Sequence, residues 1–282
     1  MTATNLKSYE SHFAFGENWL DYASRVDENA VLEAERGLRK LFPGEALAGA
    51  RFLDIGCGSG VHSLAALRLG AAGLVAIDID PNSVKAADAL IPPELRGDKV
   101  DIQTMSIFDA RPEALGQFDI VYSWGVLHHT GAMWEAIERA AQFVRPGGLF
   151  GLALYERRPS CGFWTVEKKF YARSSPGVQK ILRGLFKSAF YTGLILTGRS
   201  PRRYVASYKS ARGMSFHNDV HDWMGGYPYE SASVEEVRTR MRQLGFEIVA
   251  LYPIKRGLRL LGTGCAEFTL LRIPPSGPAR AD

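Results

Sequence analysis

The 282-residue chain is 46% apolar and 23% charged, which suits one large α/β domain with an elaboration, or two small domains, and an ordinary globular fold. Its start, MTATNLKSYE, lacks the charged-then-apolar layout of a secretory signal, and no apolar run reaches the roughly 18 to 20 residues that span a bilayer, so the chain is expected to be cytoplasmic. The net charge of +4 conceals an asymmetry: between Arg157 and Arg212 thirteen Lys or Arg face one acid, Glu167, a local +12 that leaves −8 for the remainder, as in an acidic body with one basic appendage.

The N-terminal forty residues hold one helix, about 28 to 41, preceded by the aromatic-rich FAFGENWLDYA. From Arg51 short β-rich runs alternate with helical patterns: RFLDI, VHSLAALRL, GLVAID, PNSVKAADAL, VDIQTM, FDIVYSW, MWEAIERAAQFV and LFGLALY. Strand, helix and strand in repetition predict parallel pairing through right-handed crossovers. LVAI and FDIVYSW are apolar on both faces, as a sheet covered on both sides requires. Pro146-Gly147-Gly148 is expected to stop one helix before the next strand. After Tyr155 the pattern breaks for about seventy-five residues. It resumes with SVEEVRTRMRQLG, a capped amphipathic helix ending at Gly245, and closes with FEIVALY and CAEFTLLR; the tail PPSGPARAD reads as disordered.

LDIGCGSG places Gly56, Gly58 and Gly60 between a strand and a helix, where the backbone must turn sharply and let a ligand approach without an intervening Cβ. GLVAID ends in Asp78, whose carboxylate can accept hydrogen bonds from both hydroxyls of a ribose. A dinucleotide fold would share both features. Asp54, inside the strand before the glycines, favours a ligand carrying an ammonium or sulfonium and would repel a pyrophosphate. Cys57, Cys161 and Cys265 are odd in number, far apart and without a CxxC; they read as packing residues, and no zinc site is expected.

The motifs LDIGCGSG, AIDIDPNSV, FDIVYSWGVLHHT and the RPGG turn, spanning residues 51 to 155, resemble those of class I S-adenosylmethionine-dependent methyltransferases. The resemblance implies an α/β, Rossmann-like, doubly wound fold: a mostly parallel seven-stranded sheet with an antiparallel C-terminal strand pair and a helical lid insertion. It implies a helical cap over 1–45, a cofactor-binding core over 46–156, a basic lid over 157–230, a helix and strand pair over 231–273, and a tail from 274. With S-adenosyl-L-methionine as cofactor, Gly56 and Gly58 would lie against it, Asp54 near its amino-acid end, Asp78 on the ribose and Ile79 against the adenine. Ser106 and Ile107 occupy the position that reaches the adenine edge, with Asp109 as substitute for the acid missing at Ser106, and Trp124 lies on the methionine side. His128 and His129 match a pair that recurs beneath the cofactor loop. Phe15, Trp19 and Tyr22 suit an N-terminal flap.

Methyl transfer from a sulfonium needs chiefly water exclusion and alignment, which makes residues 157 to 230 the substrate-selecting part. There Val178, Ile181, Leu182, Leu185, Phe186, Ala189 and Phe190 share one helical face, with Lys180, Arg183 and Lys187 on the other. The plain expectation is a lid helix with a solvated basic back; such a helix can also lie on an anionic membrane surface. No recognisable RNA-binding module accompanies these cations, which argues against a nucleic-acid partner. HNDVHDWMGGYPYE, residues 217 to 230, returns the chain to the core, so Trp223, Tyr227 and Tyr229 are expected to face the acceptor. His217 and His221, four apart, could with Asp219 or Asp222 meet a metal's spacing, though transfer from a sulfonium needs none; His217 or His221, held by Asp222, would suit as a base for a phenol, and a purely structural turn is the third reading. A loose similarity to ubiquinone-type O-methyltransferases, in topology and the VLHH segment, implies a hydroxylated, apolar or lipid-linked acceptor. The same fold serves N-methylation of an amine or peptide, and a cofactor-binding accessory protein without catalysis.

Overall fold

The computed structural model describes residues 16–212, 216–254 and 264–274; the expectations for Phe15 and for most of the tail lie outside these residues. Two helices, α1 (Gly16–Ala23) and α2 (Glu28–Leu41), precede the sheet. α2 starts where the Asp27 carboxylate accepts the Ala30 N–H at 3.0 Å, satisfying a donor that a helix start otherwise leaves free. There follow β1 (Arg51–Ile55), α3 (Val61–Arg68), β2 (Gly73–Asp78), α4 (Pro81–Leu90), α5 (Pro93–Arg96), β3 (Val100–Thr104), α6 (Pro112–Leu115), β4 (Phe118–Trp124), α7 (Met133–Gln142) and β5 (Val144–Tyr155). The insertion contributes α8 (Cys161–Ala172), α9 (Pro176–Leu196), α10 (Pro201–Arg212) and α11 (Phe216–Gly225). α12 (Val234–Gln243), β6 (Phe246–Tyr252) and β7 (Cys265–Arg272) complete the fold; α12 begins on the reciprocal Ser233 and Glu236 cap legible in SVEE.

The seven strands run in the order β3-β2-β1-β4-β5-β7-β6. The first five are parallel, and β7 is antiparallel to both β5 and β6, as the resemblance implies. Alternation along the strands divides the core. Leu53 and Val121 enter one face with Ile137, Phe150 and Phe268, whereas Phe52, Ile120 and Tyr122 enter the other with Leu38, Phe42 and Leu64. Asp54, Asp78, Ser123 and Tyr155 stand at or next to the carboxyl ends of β1, β2, β4 and β5.

Three local expectations change. The Pro146-Gly147-Gly148 turn does not end the preceding helix, which stops at Gln142. Val144 already pairs with Phe118 before the turn and Leu149 with Ile120 after it, so the turn is an irregularity inside β5. The basic side of α9 is not simply a solvated back: Arg183 donates to the Tyr171 hydroxyl at 2.6 Å, and Lys187 lies 3.2 Å from His217. The apolar arc of α9 is wider than its neighbours cover. Leu182, Phe186 and Phe190 pack against Tyr171, Phe216 and Val220, while Ile181 and Leu185 stay exposed. α8 departs furthest from an ordinary surface helix. Trp164, Lys168 and Tyr171 point inward and are buried, whereas Phe163, Val166 and Phe170 face solvent.

Candidate active site

The loop after β1 is wedged between neighbours that admit no side chain. A Cβ on Gly56 would fall 2.4 Å from the Val126 side chain, and one on Gly60 2.6 Å from the Ala87 backbone, with φ of +76° and +79°. Only glycine meets both demands. The Gly58 N–H donates to one oxygen of Asp78 at 3.0 Å, and the Asp80 N–H to the other at 2.9 Å. These bonds fix the carboxylate at the end of β2 and leave it lone pairs for further donors, since an ionised carboxylate has about four acceptor positions. Asp80 caps α4 through the Asn82 N–H and also accepts the Gly16 N–H at 2.8 Å. That contact docks α1 over the crevice, with the Trp19 indole against Gly58: a Cβ there would lie 3.1 Å from it.

Asp54 is buried beneath the loop and accepts the Ser63 hydroxyl at 2.6 Å. Burial raises its pKa to about 7 against the lowering effect of Ser63, with the Asp78 charge adding to the rise. Burial likewise raises Asp78 to about 6, opposed by its two backbone donors. Two carboxyls held half-ready to ionise beside a glycine cradle fit a nucleoside with ribose hydroxyls and a positive amino-acid end, which would favour the ionised form of both.

On the far side Trp124 is 40% exposed at the end of β4 and stacks on His62, centroids 6.5 Å apart and planes at 29°. Burial lowers the His62 pKa to about 4, so it is a neutral wall residue. His62 carried no motif in the sequence; only the fold sets it beside Trp124. Ile79 is half-buried just past β2. The Ser106 hydroxyl accepts the Phe108 N–H at 3.2 Å, Ile107 packs into the core, and Asp109 is exposed.

His128 and His129 follow β4 in a single 3₁₀ turn, Leu127–His129. His128 is fully buried, its ring 4.1 Å from that of Tyr155 and its Nδ1 3.4 Å from the Tyr155 N–H. His129 Nδ1 lies 2.7 Å from the Pro228 carbonyl. The Glu230 N–H donates to the His128 carbonyl at 2.9 Å, and the Glu230 carboxylate accepts the Met133 N–H at 2.9 Å. The GGYPYE half of the returning segment thus clamps the ends of β4 and β5. Tyr229 is buried, its ring 5.1 Å from Tyr155 and its hydroxyl 3.3 Å from the Cys161 sulfur; Tyr227 is half-buried. Trp223 packs on Trp164 at 4.5 Å under the Lys168 ammonium, 4.2 Å above its ring.

The histidine half of the same segment is α11, and it turns His217 and His221 toward α9. His221 Nδ1 lies 2.7 Å from the Tyr171 hydroxyl and 2.9 Å from Arg183. Burial and the Arg183 charge lower its pKa to about 4; burial and Lys187 also lower that of His217. A base must become a cation, and both imidazoles face a cation already. Asp222 follows His221 in α11, close enough for its charge to raise the Tyr171 pKa. The structure therefore brings Asp54, Asp78 and the glycines together, and Trp124 with His62, but joins His217 and His221 to the lid helices. Among the described residues no group of three or more His, Cys, Asp or Glu could hold a metal.

A family model described as a methyltransferase domain matches residues 53–150. The ubiquinone biosynthesis O-methyltransferase of Xanthomonas oryzae is 36% identical over 135 residues, covering 46% of this chain and 54% of that protein. The enzyme of the same description from Xanthomonas campestris is 36% identical over 133 residues, with the same coverage of each. The chain thus spans about half the length of the curated relatives it matches. Among solved structures, the magnesium protoporphyrin IX methyltransferase of Synechocystis, with bound S-adenosylhomocysteine, aligns over 86% of this chain and 84% of its own at TM-score 0.52 and 16% identity. An O-methyltransferase family protein from Burkholderia thailandensis aligns over 96% of this chain and 64% of its own at TM-score 0.56 and 17% identity. At such identities these two bear on the fold alone. With the family match over the strands that build the crevice, and the two carboxyls and glycine cradle in place, the chain carries a class I S-adenosylmethionine-dependent methyltransferase domain.

Proposed function

We propose that the protein transfers a methyl group from S-adenosylmethionine to a hydroxyl oxygen of a small, apolar or lipid-linked acceptor. The observation that carries this reading is the aromatic junction between the strand ends and α8, where Tyr155 lies on buried His128 and on Tyr229, and Trp164 and Trp223 pack in the same cluster. Such a junction suits a flat, apolar molecule with one or two oxygens. The O-methyltransferase names of the relatives agree with it. The cofactor, when bound, supplies an electrophilic methyl group on a sulfonium. Asp78 holds ribose hydroxyls, Asp54 offsets positive charge at the amino-acid end, Trp124 with His62 walls the methionine side, and Trp19 covers the glycine loop. The lid excludes water and aligns the acceptor oxygen. His217 and His221 serve to hold the lid helices together.

Purified protein with S-adenosylmethionine and a panel of prenylated catechols, amines and short peptides tests this by mass spectrometry. An O-methyl product is expected. A methyl group on nitrogen would move the protein to amine or peptide chemistry, and cofactor binding without any turnover would make it an accessory protein.

A second reading concerns the lid's outer face. Phe163, Val166 and Phe170 on α8, with Ile181 and Leu185 on α9, are each more than half exposed, and Lys169, Arg173 and Lys180 stand exposed beside them. Apolar stripes edged by cations complement an anionic lipid surface. No described helix is long and apolar enough to cross a membrane, so this contact is peripheral. Flotation with anionic vesicles is expected to carry the protein upward at low salt and to lose it at high salt. Absence of salt-sensitive flotation would remove the reading.

A further inference from the structure

α9 and α11 meet along a seam with two rungs. On one rung Arg183 Nη1 lies 2.9 Å from His221 Nδ1 and donates to the Tyr171 hydroxyl at 2.6 Å; on the other, Lys187 Nζ lies 3.2 Å from His217 Nδ1. Arg183 and Lys187 are one turn apart on α9, and so are His217 and His221 on α11, which sets the rungs about 5–6 Å from each other. Among the described residues neither cation forms an ion pair with a carboxylate. The shortage is written into the sequence, since α9 and α10 contain no acid. Of the acids on α8 and α11, Asp219 accepts the Tyr208 hydroxyl. Glu167 and Asp222 act on Tyr171, whose pKa burial raises, Arg183 lowers and these two charges raise further.

Like charges one turn apart on a helix repel, and after burial it is the Arg183 charge that lowers the Lys187 pKa. Burial, then the cation each ring faces, lowers His217 and His221 as well, so both imidazoles are neutral and turn a lone pair to a cation. Donors remain at the seam. Arg183 spends Nη1 on Tyr171 and His221, while its Nη2 and Nε have no protein acceptor among the described residues and are reached by solvent. Lys187, half-buried, gives one proton to His217 and keeps others. His217 is exposed and, with Nδ1 accepting, carries its own proton on Nε2. The arrangement is a pair of uncompensated cations with open donors, held in place from behind by buried Tyr171 and by His221.

We propose that Arg183 and Lys187, with His217 beside them, form a binding site on the lid for a phosphate monoester. Two cations without counter-charge call for two negative charges on one ligand, and a phosphate monoester carries about −1.5 to −2 near neutral pH. A carboxylate or a phosphodiester brings one. The free edge of the guanidinium takes phosphoryl oxygens in its planar fork, and the ammonium, one turn along α9, takes another as a point charge. Occupancy replaces repulsion between the rungs by attraction to a common centre and ties α9 to α11. The phosphoryl group belongs to a soluble molecule or to a lipid headgroup; the chemistry at the seam is the same for both. The site is independent of which acceptor atom is methylated.

Phenyl phosphate is the probe, titrated calorimetrically into the full chain at about pH 7.5, where the monoester is close to a dianion, in enough sodium chloride to screen loose surface attraction. Saturable one-to-one binding is expected, with dimethyl phosphate, a monoanion, weaker by about tenfold or more. Arg183→Gln and Lys187→Gln should each weaken phenyl phosphate by about tenfold. Lys187 contacts the exposed His217 ring, so Lys187→Gln is the variant that decides if Arg183→Gln does not fold. Vesicles carrying phosphatidic acid separate the two sources. Binding to them about tenfold tighter per headgroup than to phenyl phosphate, and lost in Lys187→Gln, identifies a lipid headgroup; equal or weaker binding identifies a soluble phosphate. No saturable binding of either probe, equal affinity for monoester and diester, or undiminished affinity in folded Lys187→Gln would overturn the site.

Discussion

The cofactor crevice and the lid solve opposite problems with the same residue types. In the crevice each polar group has a partner: Asp78 accepts two backbone N–H groups, Asp54 a hydroxyl, and the glycine loop is locked by what a Cβ would strike. In the lid, α8 buries Lys168 and an unpartnered carboxylate while exposing Phe163, Val166 and Phe170. The contrast teaches that the crevice closes its polar groups on one another, whereas the lid junction holds buried polar atoms that no protein group among the described residues satisfies. Preorganisation of the crevice's kind favours tight, uniform recognition of one ligand.

The contrast breaks first at the glycine loop. Gly60→Val places a branched side chain against the Ala87 backbone at a positive φ, with an expected cost of at least about 2 kcal/mol in stability. Denaturant melts should register it, together with loss of S-adenosylhomocysteine heat. Next in size, Lys168→Met removes the donor to the Trp223 carbonyl and the ammonium over the Trp223 ring, which should cost the lid about 1–3 kcal/mol yet leave cofactor affinity within about twofold. A parallel loss of cofactor binding would merge the two regions into one.

The pH dependence sharpens the comparison further. Asp54 and Asp78 have pKa values raised to about 7 and about 6, so the free protein holds protons that a positively charged ligand displaces. Affinity for S-adenosylmethionine should therefore rise as pH increases from about 5.5 to 7.5, by up to about tenfold per unit where one group titrates. The sign for stability is the reverse. Folded carboxyls with raised pKa values bind protons more tightly than unfolded ones, so their contribution is fully present below about pH 4. It is lost as pH rises through about 6 to 7. Ligand-induced gains in Tm should consequently be larger at pH 7.5 than at pH 5.5. Trp19→Ala, which uncovers Gly58, is expected to weaken cofactor affinity by several-fold, about 1 kcal/mol. A smaller cofactor-dependent change in tryptophan fluorescence would accompany it, with Trp124 supplying the remainder. Smallest of all, His221→Ala removes the Tyr171 and Arg183 contacts and should cost the lid about 1 kcal/mol while turnover changes less than threefold. A collapse of turnover without loss of stability would restore His221 as a base.

How much of this could be read from the chain follows the same division. RFLDI, GLVAID and FDIVYSW announced their strands because both faces of the sheet are covered, and SVEE announced its cap because the motif is local. The glycines and Asp78 were legible for the same reason, since backbone geometry near a nucleoside demands them within a few positions. α8 was illegible because pattern reading assigns apolar residues inward, and Phe163, Val166 and Phe170 at helical spacing would have been the buried face. Lys168 would have been the solvated one. Arg183 and Lys187 misled similarly: their partners, His221 and His217, come from a helix 38 and 30 residues later. His62 gained its place beside Trp124 only through the pairing of β1 with β4.

Calorimetric titration of the wild-type protein with S-adenosylhomocysteine, and separately with NAD, tests the central assignment most directly. The two carboxyls and the closed glycine loop predict one-to-one binding of the sulfur nucleoside and no heat with the dinucleotide, whose pyrophosphate Asp54 repels. Tight binding of NAD with no response to S-adenosylhomocysteine would contradict it.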